Sequence, residues 1–156
     1  YMAFRFADLL PAVRARIAQR PALRETVELL GNLPRADIEP YYNSADFFVQ
    51  GSHHESTGYA LLDALACGVV PIVTDIPAFR VLTHDGLLGA LWPPDDAGAF
   101  AASLVSCARR PLALQAAAVT DFFDARLGIP AVGRQALNIY QSLRRRRAGR
   151  QPDGAK

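Results

Sequence analysis

The chain has 156 residues, 51% of them hydrophobic, enough to bury a single core without a disulfide or metal staple. A net charge of +2 is too small to imply a nucleic-acid partner, no apolar run approaches the length of a membrane span, and nothing at the start resembles a signal peptide. Cys67 and Cys107 lie far apart in apolar helical contexts and read as reduced thiols, which points to a cytoplasmic protein without a disulfide framework.

In chain order, the opening on Tyr1 ahead of Met2 reads as a piece of something longer. Phe6 to Gln19 reads as a helix, with Leu9, Leu10, Val13 and Ile17 near helical spacing and Pro21 stopping it. Thr26 to Leu30 is a short β-prone run ended by Gly31, Asp37 to Asn43 fits a brief helix, and Phe47 to Val49 is a second strand. A helix over Tyr59 to Cys67 follows, closed by Gly68, a residue suited to the left-handed conformation after a helix. Val69 to Thr74 is an apolar third strand, as expected of one covered on both faces. Ala78 to Leu82 fits a helical turn and Gly89 to Trp92 a fourth strand. Asp95 or Asp96 then caps a helix that carries Phe100, Leu104 and Ala108 on one face.

Helices near Leu112 to Leu127 and Pro130 to Arg147 complete a single domain over residues 1–147, with 148–156 as a disordered basic tail. Nearly all basic residues are arginine, and Arg144, Arg145, Arg146, Arg147 and Arg150 crowd this end. They suit either a solvated helix end, whose cations complement the dipole, or peripheral contact with an anionic lipid surface at the inner face of a membrane. Aromatic interleaving of the kind that binds single-stranded nucleic acid is absent.

Short apolar strands alternating with helices, and never joined by tight hairpins, predict an α/β fold: a Rossmann-like parallel sheet with helices on both faces. In such sheets the ligand crevice lies beyond the carboxyl ends of the strands. Gln50 to Gly58 leaves the strand Phe47 to Val49 directly, and Thr74 to Pro77 leaves the next.

The most informative segment is Ser52 to Gly68, SHHESTGYALLDALACG. On a helical wheel Leu61, Leu62 and Leu65 share one arc, while Asp63 lies away from it beside Tyr59. A helix starting near Thr57 or Gly58 points its free N–H groups and positive dipole end toward the loop that carries Glu55. A diphosphate docks well there, with Glu55 accepting hydrogen bonds from sugar hydroxyls on one side, Asp63 from ribose hydroxyls on the other, and Gly58 letting the backbone approach. The bland alternative is a Glu that merely favours a helix start and an Asp on an exposed face.

Other polar residues carry less. His53 and His54 have no Cys, His or carboxylate set at ligand spacing and read as loop residues, so no metal is expected. His84 with Asp85 reads as a turn before Gly86. Ser52 and Ser56 lack the strained strand-turn-helix setting of a hydrolase nucleophile. Asp75 is either a nucleotide contact or solvated, and Trp92 reads as a core or interface side chain.

The run YYNSADFFVQGSHHESTGYALLDALACGVVPIVTDIPAF, Tyr41 to Phe79, resembles the C-terminal donor-binding domain of the retaining glycosyltransferases with the GT-B fold (family 4-like, glycosyl transferases group 1). Ala45, Asp46, Ser52, Glu55, Gly58, Ala64, Ala66, Gly68, Pro71 and Ile72 occupy matching places, and a weaker similarity runs from about Thr26 to Ala108.

The resemblance implies transfer of a sugar from a nucleoside-diphosphate sugar to a glycan, lipid or small-molecule acceptor, with retained anomeric configuration, no obligatory metal and no cofactor. It makes Glu55 the catalytic candidate, meeting the donor sugar near the reacting centre. Ser56, Thr57, Gly58 and Tyr59 form the donor-binding segment, and Asp63 matches a second glutamate that binds ribose. Asp63 is one methylene shorter than that glutamate, so a bridging water is one way to make the contact. The arginine and lysine that the family places on the first strand and helix of this domain do not precede Phe6. A fragment incomplete at its N-terminus is therefore expected: the C-terminal half of such an enzyme, without its N-terminal acceptor-binding domain and inactive alone.

Two other readings stand beside this one. A non-catalytic GT-B-like domain used for binding or assembly draws its support from Asp63. A receiver-like or flavodoxin-like domain would need an acidic cluster after the first strand or a flavin phosphate loop, and neither is apparent.

Overall fold

The computed structural model describes residues 1–3 and 8–148. The beginning of the first expected helix, from Phe6, lies outside the described residues, as does the expected tail from residue 149 on. The chain divides between Ala45 and Asp46 into two compact units.

In the first unit β1 (Met2–Ala3) pairs in parallel with β2 (Leu29–Gly31). Three helices accompany them, α1 (Leu10–Ala18), α2 (Pro21–Thr26) and α3 (Arg35–Ser44), and none contains a buried residue. Pro21 does follow the end of α1, but it also opens α2, because its fixed φ and missing N–H suit the first helical position. The expected strand from Thr26 is therefore shortened: Thr26 closes α2, its hydroxyl donating to the Ala22 carbonyl at 2.7 Å, and only Leu29–Gly31 is extended.

The second unit holds the core and the candidate site. Its sheet has the order β3-β4-β5, all parallel, formed by β3 (Phe47–Gln50), β4 (Val70–Thr74) and β5 (Ala90–Trp92). Gln50 pairs with Val73 and Thr74 with Trp92, so the three strands end side by side. The central β4 is buried along its whole length, which accounts for its unbroken apolar sequence up to Thr74.

The helices of this unit are α4 (Tyr59–Ala66), α5 (Pro77–Leu82), α6 (Ala97–Ala108), α7 (Leu112–Phe122) and α8 (Ile129–Ala148), with a π-helical turn over Phe123–Leu127 joining the last two. α4 and α7 pack on β4 and on each other, and α6 packs on β4 and β5. Leu61, Leu65, Val73, Phe79 and Val119 are fully or almost fully buried and centre the core, with Leu62 packed at its margin. Among the described residues no helix is long and apolar enough to cross a membrane.

Local rules set the boundaries near the site. α4 ends in a Schellman arrangement: Gly68 sits at φ 72°, its N–H donates to the Leu65 carbonyl at 3.0 Å, and the Val69 N–H donates to the Ala64 carbonyl at 3.0 Å. At the start of α6 the choice between Asp95 and Asp96 falls to Asp96, whose Oδ1 accepts the Ala99 N–H at 2.8 Å. Asp95 takes a positive φ of 65° and turns its carboxylate elsewhere.

Candidate functional site

The segment that leaves β3 is held from both ends. Gln50, the last strand residue, donates from Nε2 to Glu55 Oε1 at 2.8 Å and to Ser52 Oγ at 3.1 Å. The Ser52 hydroxyl donates to the same Glu55 oxygen at 3.0 Å. From the end of β4, buried Thr74 donates its hydroxyl to the Ser52 carbonyl at 2.6 Å, tying the loop to the neighbouring strand. Glu55 is thus half-buried and oriented, with Oε1 carrying two donors and Oε2 left without a partner among the described residues.

Gly58 caps α4 in the left-handed region, φ 70°, and is buried. A Cβ here would lie 3.2 Å from both Leu82 Cδ1 and Phe79 Cε1, so a side chain would crowd these neighbours as well as strain the dihedral. Among the described residues no side chain caps α4, and its hydrogen bonding begins with the Leu62 N–H on the Gly58 carbonyl at 3.0 Å. The N–H groups of the first turn and the positive dipole end are therefore left to other partners. Ser56, Thr57 and Tyr59 are exposed around this helix start, and Asp63 is half-buried one turn after Tyr59. The fold thus brings the six expected residues into one loop and the first turns of one helix.

A cavity of about 220 Å³ lies at the strand ends, walled by Gly51, Thr74, Trp92 and Phe100, with His53 and Asp95 at its lining. Neither Glu55 nor α4 borders it. His53 Nε2 sits 3.0 Å from both Asp95 carboxylate oxygens, which joins the loop after β3 to the start of α6. Trp92 is half-buried and packs on Phe100 with ring centroids 5.3 Å apart. Asp75 is paired with Arg80: the Arg80 Nη2 donates to Asp75 Oδ2 at 2.7 Å, and Nε donates to Oδ1. The guanidinium hydrogen bonds of Arg80, and its charge, hold the Asp75 carboxyl below its ordinary value against the opposing effect of burial. Asp75 is therefore ion-paired at the surface and not simply solvated.

Two residues of the network, Gln50 and Thr74, enter the sequence reading only as strand ends and not as site residues. A signal was present: each is the one polar residue at the carboxyl end of an apolar strand, the edge where ligands bind in parallel sheets.

Residues 8–110 match the family described as Glycosyl transferases group 1. Among curated proteins the chain is 29% identical over 133 residues to the D-inositol 3-phosphate glycosyltransferase of Thermobispora bispora, covering 83% of this chain and 31% of that one. It is 35% identical over 114 residues to the GDP-mannose:cellobiosyl-diphosphopolyprenol alpha-mannosyltransferase of Xanthomonas campestris, covering 73% and 28%. It is 30% identical over 133 residues to the phosphatidyl-myo-inositol mannosyltransferase of Mycobacterium leprae, covering 81% and 34%. The chain therefore spans about a third of the length of these relatives. In fold it is similar to the Anabaena protein Alr3699/HepE, whose crystal structure was solved in complex with UDP: TM-score 0.73, 21% identity, 86% of this chain and 37% of that one.

Proposed function

Because the chain belongs to the glycosyl transferases group 1 family, we propose that it is the donor-binding part of a retaining glycosyltransferase that moves a sugar from a nucleoside-diphosphate sugar to a glycan, lipid or small-molecule acceptor. The observation that carries this reading is the half-buried Glu55 carboxylate, oriented by Gln50 and Ser52, immediately ahead of a helix start that no side chain caps.

In this reading Glu55 accepts hydrogen bonds from donor-sugar hydroxyls beside the reacting centre through its open oxygen. The backbone of Ser56, Thr57, Gly58 and Tyr59 lies along the sugar and diphosphate. As the glycosidic bond breaks, negative charge grows on the leaving diphosphate, and oriented N–H groups at the positive end of α4 stabilise it there more than in the ground state. Asp63, on the Tyr59 side of α4, accepts from the ribose hydroxyls.

Titration of the full-length protein that carries this chain with uridine and guanosine diphosphates and their sugars tests the assignment. Saturable binding is expected, tighter for one nucleotide sugar than for its nucleoside diphosphate, with the difference lost in Glu55→Gln. If no nucleotide or nucleotide sugar binds saturably, the second reading stands instead: a non-catalytic domain of the same fold used for binding or assembly. The shorter Asp63 is the observation that favours it.

The proposed location is cytoplasmic, at the inner face of a membrane, in keeping with Cys67 and Cys107 being thiols and not half-cystines. α8 exposes Val132, Ile139, Tyr140 and Leu143 at helical spacing and ends on Arg144, Arg145, Arg146 and Arg147, an apolar stripe and a cationic end that suit an anionic lipid surface. Sedimentation with phosphatidylserine-containing vesicles, and not with phosphatidylcholine ones, is the expected outcome, and replacing the four arginines with glutamine should abolish it.

A further inference from the structure

We propose that Gln50 is a positioning residue for Glu55, selecting which carboxylate oxygen meets the donor sugar; this rests on the donor-binding reading above. Gln50 is the last residue of β3, and its backbone is held in register against Val73 of the buried central strand, so its side chain starts from a fixed point. Its amide nitrogen has two hydrogens. One goes to Glu55 Oε1 at 2.8 Å and the other to Ser52 Oγ at 3.1 Å. Ser52 then donates its own hydrogen to the same Oε1 at 3.0 Å. The three side chains close a ring in which each polar hydrogen is used once and both donors converge on one oxygen.

The orientation of the Gln50 amide is set by charge. Turned over, it would place its carbonyl oxygen against the Glu55 carboxylate, acceptor against acceptor. In the orientation adopted, Gln50 Oε1 is buried and has no hydrogen-bond partner among the described residues. An unsatisfied buried carbonyl is unfavourable, and it is tolerated here for the donor that the other end of the amide supplies. Thr74, hydrogen-bonded to the Ser52 carbonyl, prevents the ring from drifting with the loop. The consequence is that Glu55 presents Oε2 alone, from a side chain that has already lost its freedom before a ligand arrives.

The prediction is specific to the sugar. Gln50→Leu keeps the approximate size and removes one of the two donors on Oε1, so Glu55 should be held more loosely, by Ser52 alone, while the helix start is untouched. In the full-length protein, calorimetric titration with a nucleotide sugar and with its nucleoside diphosphate should show a loss of tenfold or more in affinity for the former and less than about twofold for the latter, the range expected for a hydrogen bond to a charged group. Combining Gln50→Leu with Glu55→Gln should weaken binding no further than Glu55→Gln alone, since the two act through one contact.

Equal losses for sugar and diphosphate, or a Gln50→Leu protein that keeps the full preference for the sugar while Glu55→Gln loses it, would overturn the positioning role. A wild-type protein that binds both ligands equally would likewise overturn the positioning role, and one that binds neither saturably would overturn the donor-binding reading itself. Should Gln50→Leu not fold, Ser52→Ala removes the second donor from the same oxygen and must show the same selective loss, or the proposal fails.

Discussion

Replacing Gly58 with alanine tests whether the start of α4 is set by both its dihedral and its packing. At φ 70° an L-residue is less stable than glycine by about 1 kcal/mol. The added methyl would stand 3.2 Å from Leu82 Cδ1 and from Phe79 Cε1, inside the 3.5–4.0 Å optimum for carbon pairs. Phe79 is fully buried, so neither neighbour can withdraw into solvent, and overpacking of this kind costs about 1–3 kcal/mol. Alanine recovers about 0.5 kcal/mol by restricting the unfolded chain. The net loss is about 2 kcal/mol, which at a urea m-value of about 2 kcal/mol/M lowers the denaturation midpoint by about 1 M. Introducing Gly58→Ala into a Leu82→Ala background should cost less than in the wild type, because one of the two contacts is gone. A change below about 0.5 kcal/mol with an unaltered m-value would refute the claim that packing against Phe79 and Leu82 fixes this position. The functional consequence is expected alongside: the first turn of α4 shifts, and nucleoside-diphosphate affinity falls with stability.

The two aspartates before α6 should separate cleanly in equilibrium denaturation. Asp96→Ala removes the hydrogen bond to the Ala99 N–H and should cost about 1 kcal/mol, while Asp95→Asn loses only an exposed contact with His53 and should stay within about 0.5 kcal/mol. A larger effect at Asp95 would contradict the capping assignment. The Asp75–Arg80 pair carries a pH signature. Arg80 lowers the Asp75 carboxyl in the folded state, so its contribution is fully present above the unfolded carboxylate range and disappears as pH falls through the folded value. The difference in denaturation midpoint between wild type and Arg80→Ala should therefore be small, because the pair is exposed, and should shrink on acidification; a gap that widens at low pH would have the wrong sign.

How far the site was legible depended on the range of the interactions. Glu55, Gly58 and the core leucines of α4 declared themselves through spacing within one loop and one helix. Gly68 could be read as a helix terminator because its left-handed conformation answers to a local rule. α2 is not legible in the sequence because Pro21 reads as a stop as readily as a first helical residue, and the β-prone Thr26 extends the following strand pattern too early. Asp75 reads in sequence as either a nucleotide contact or solvated, because its partner five residues on is brought to it only by the turn of α5.

What sequence alone determined was the alternation of apolar strands and amphipathic helices, and with it a parallel sheet carrying an acidic loop at its carboxyl edge. These follow from periodicity and from dihedral preferences that act over a few residues. Only the tertiary structure decided how that loop is held. The Thr74 hydroxyl reaches a carbonyl 22 residues earlier, and Asp95 meets His53 across 42 residues. Strand register set where Gln50 stands, and the contacts it made possible left one oxygen of Glu55 occupied and the other open. Such contacts arise from which strand ends lie side by side, a property of the folded sheet that no local stretch of sequence contains.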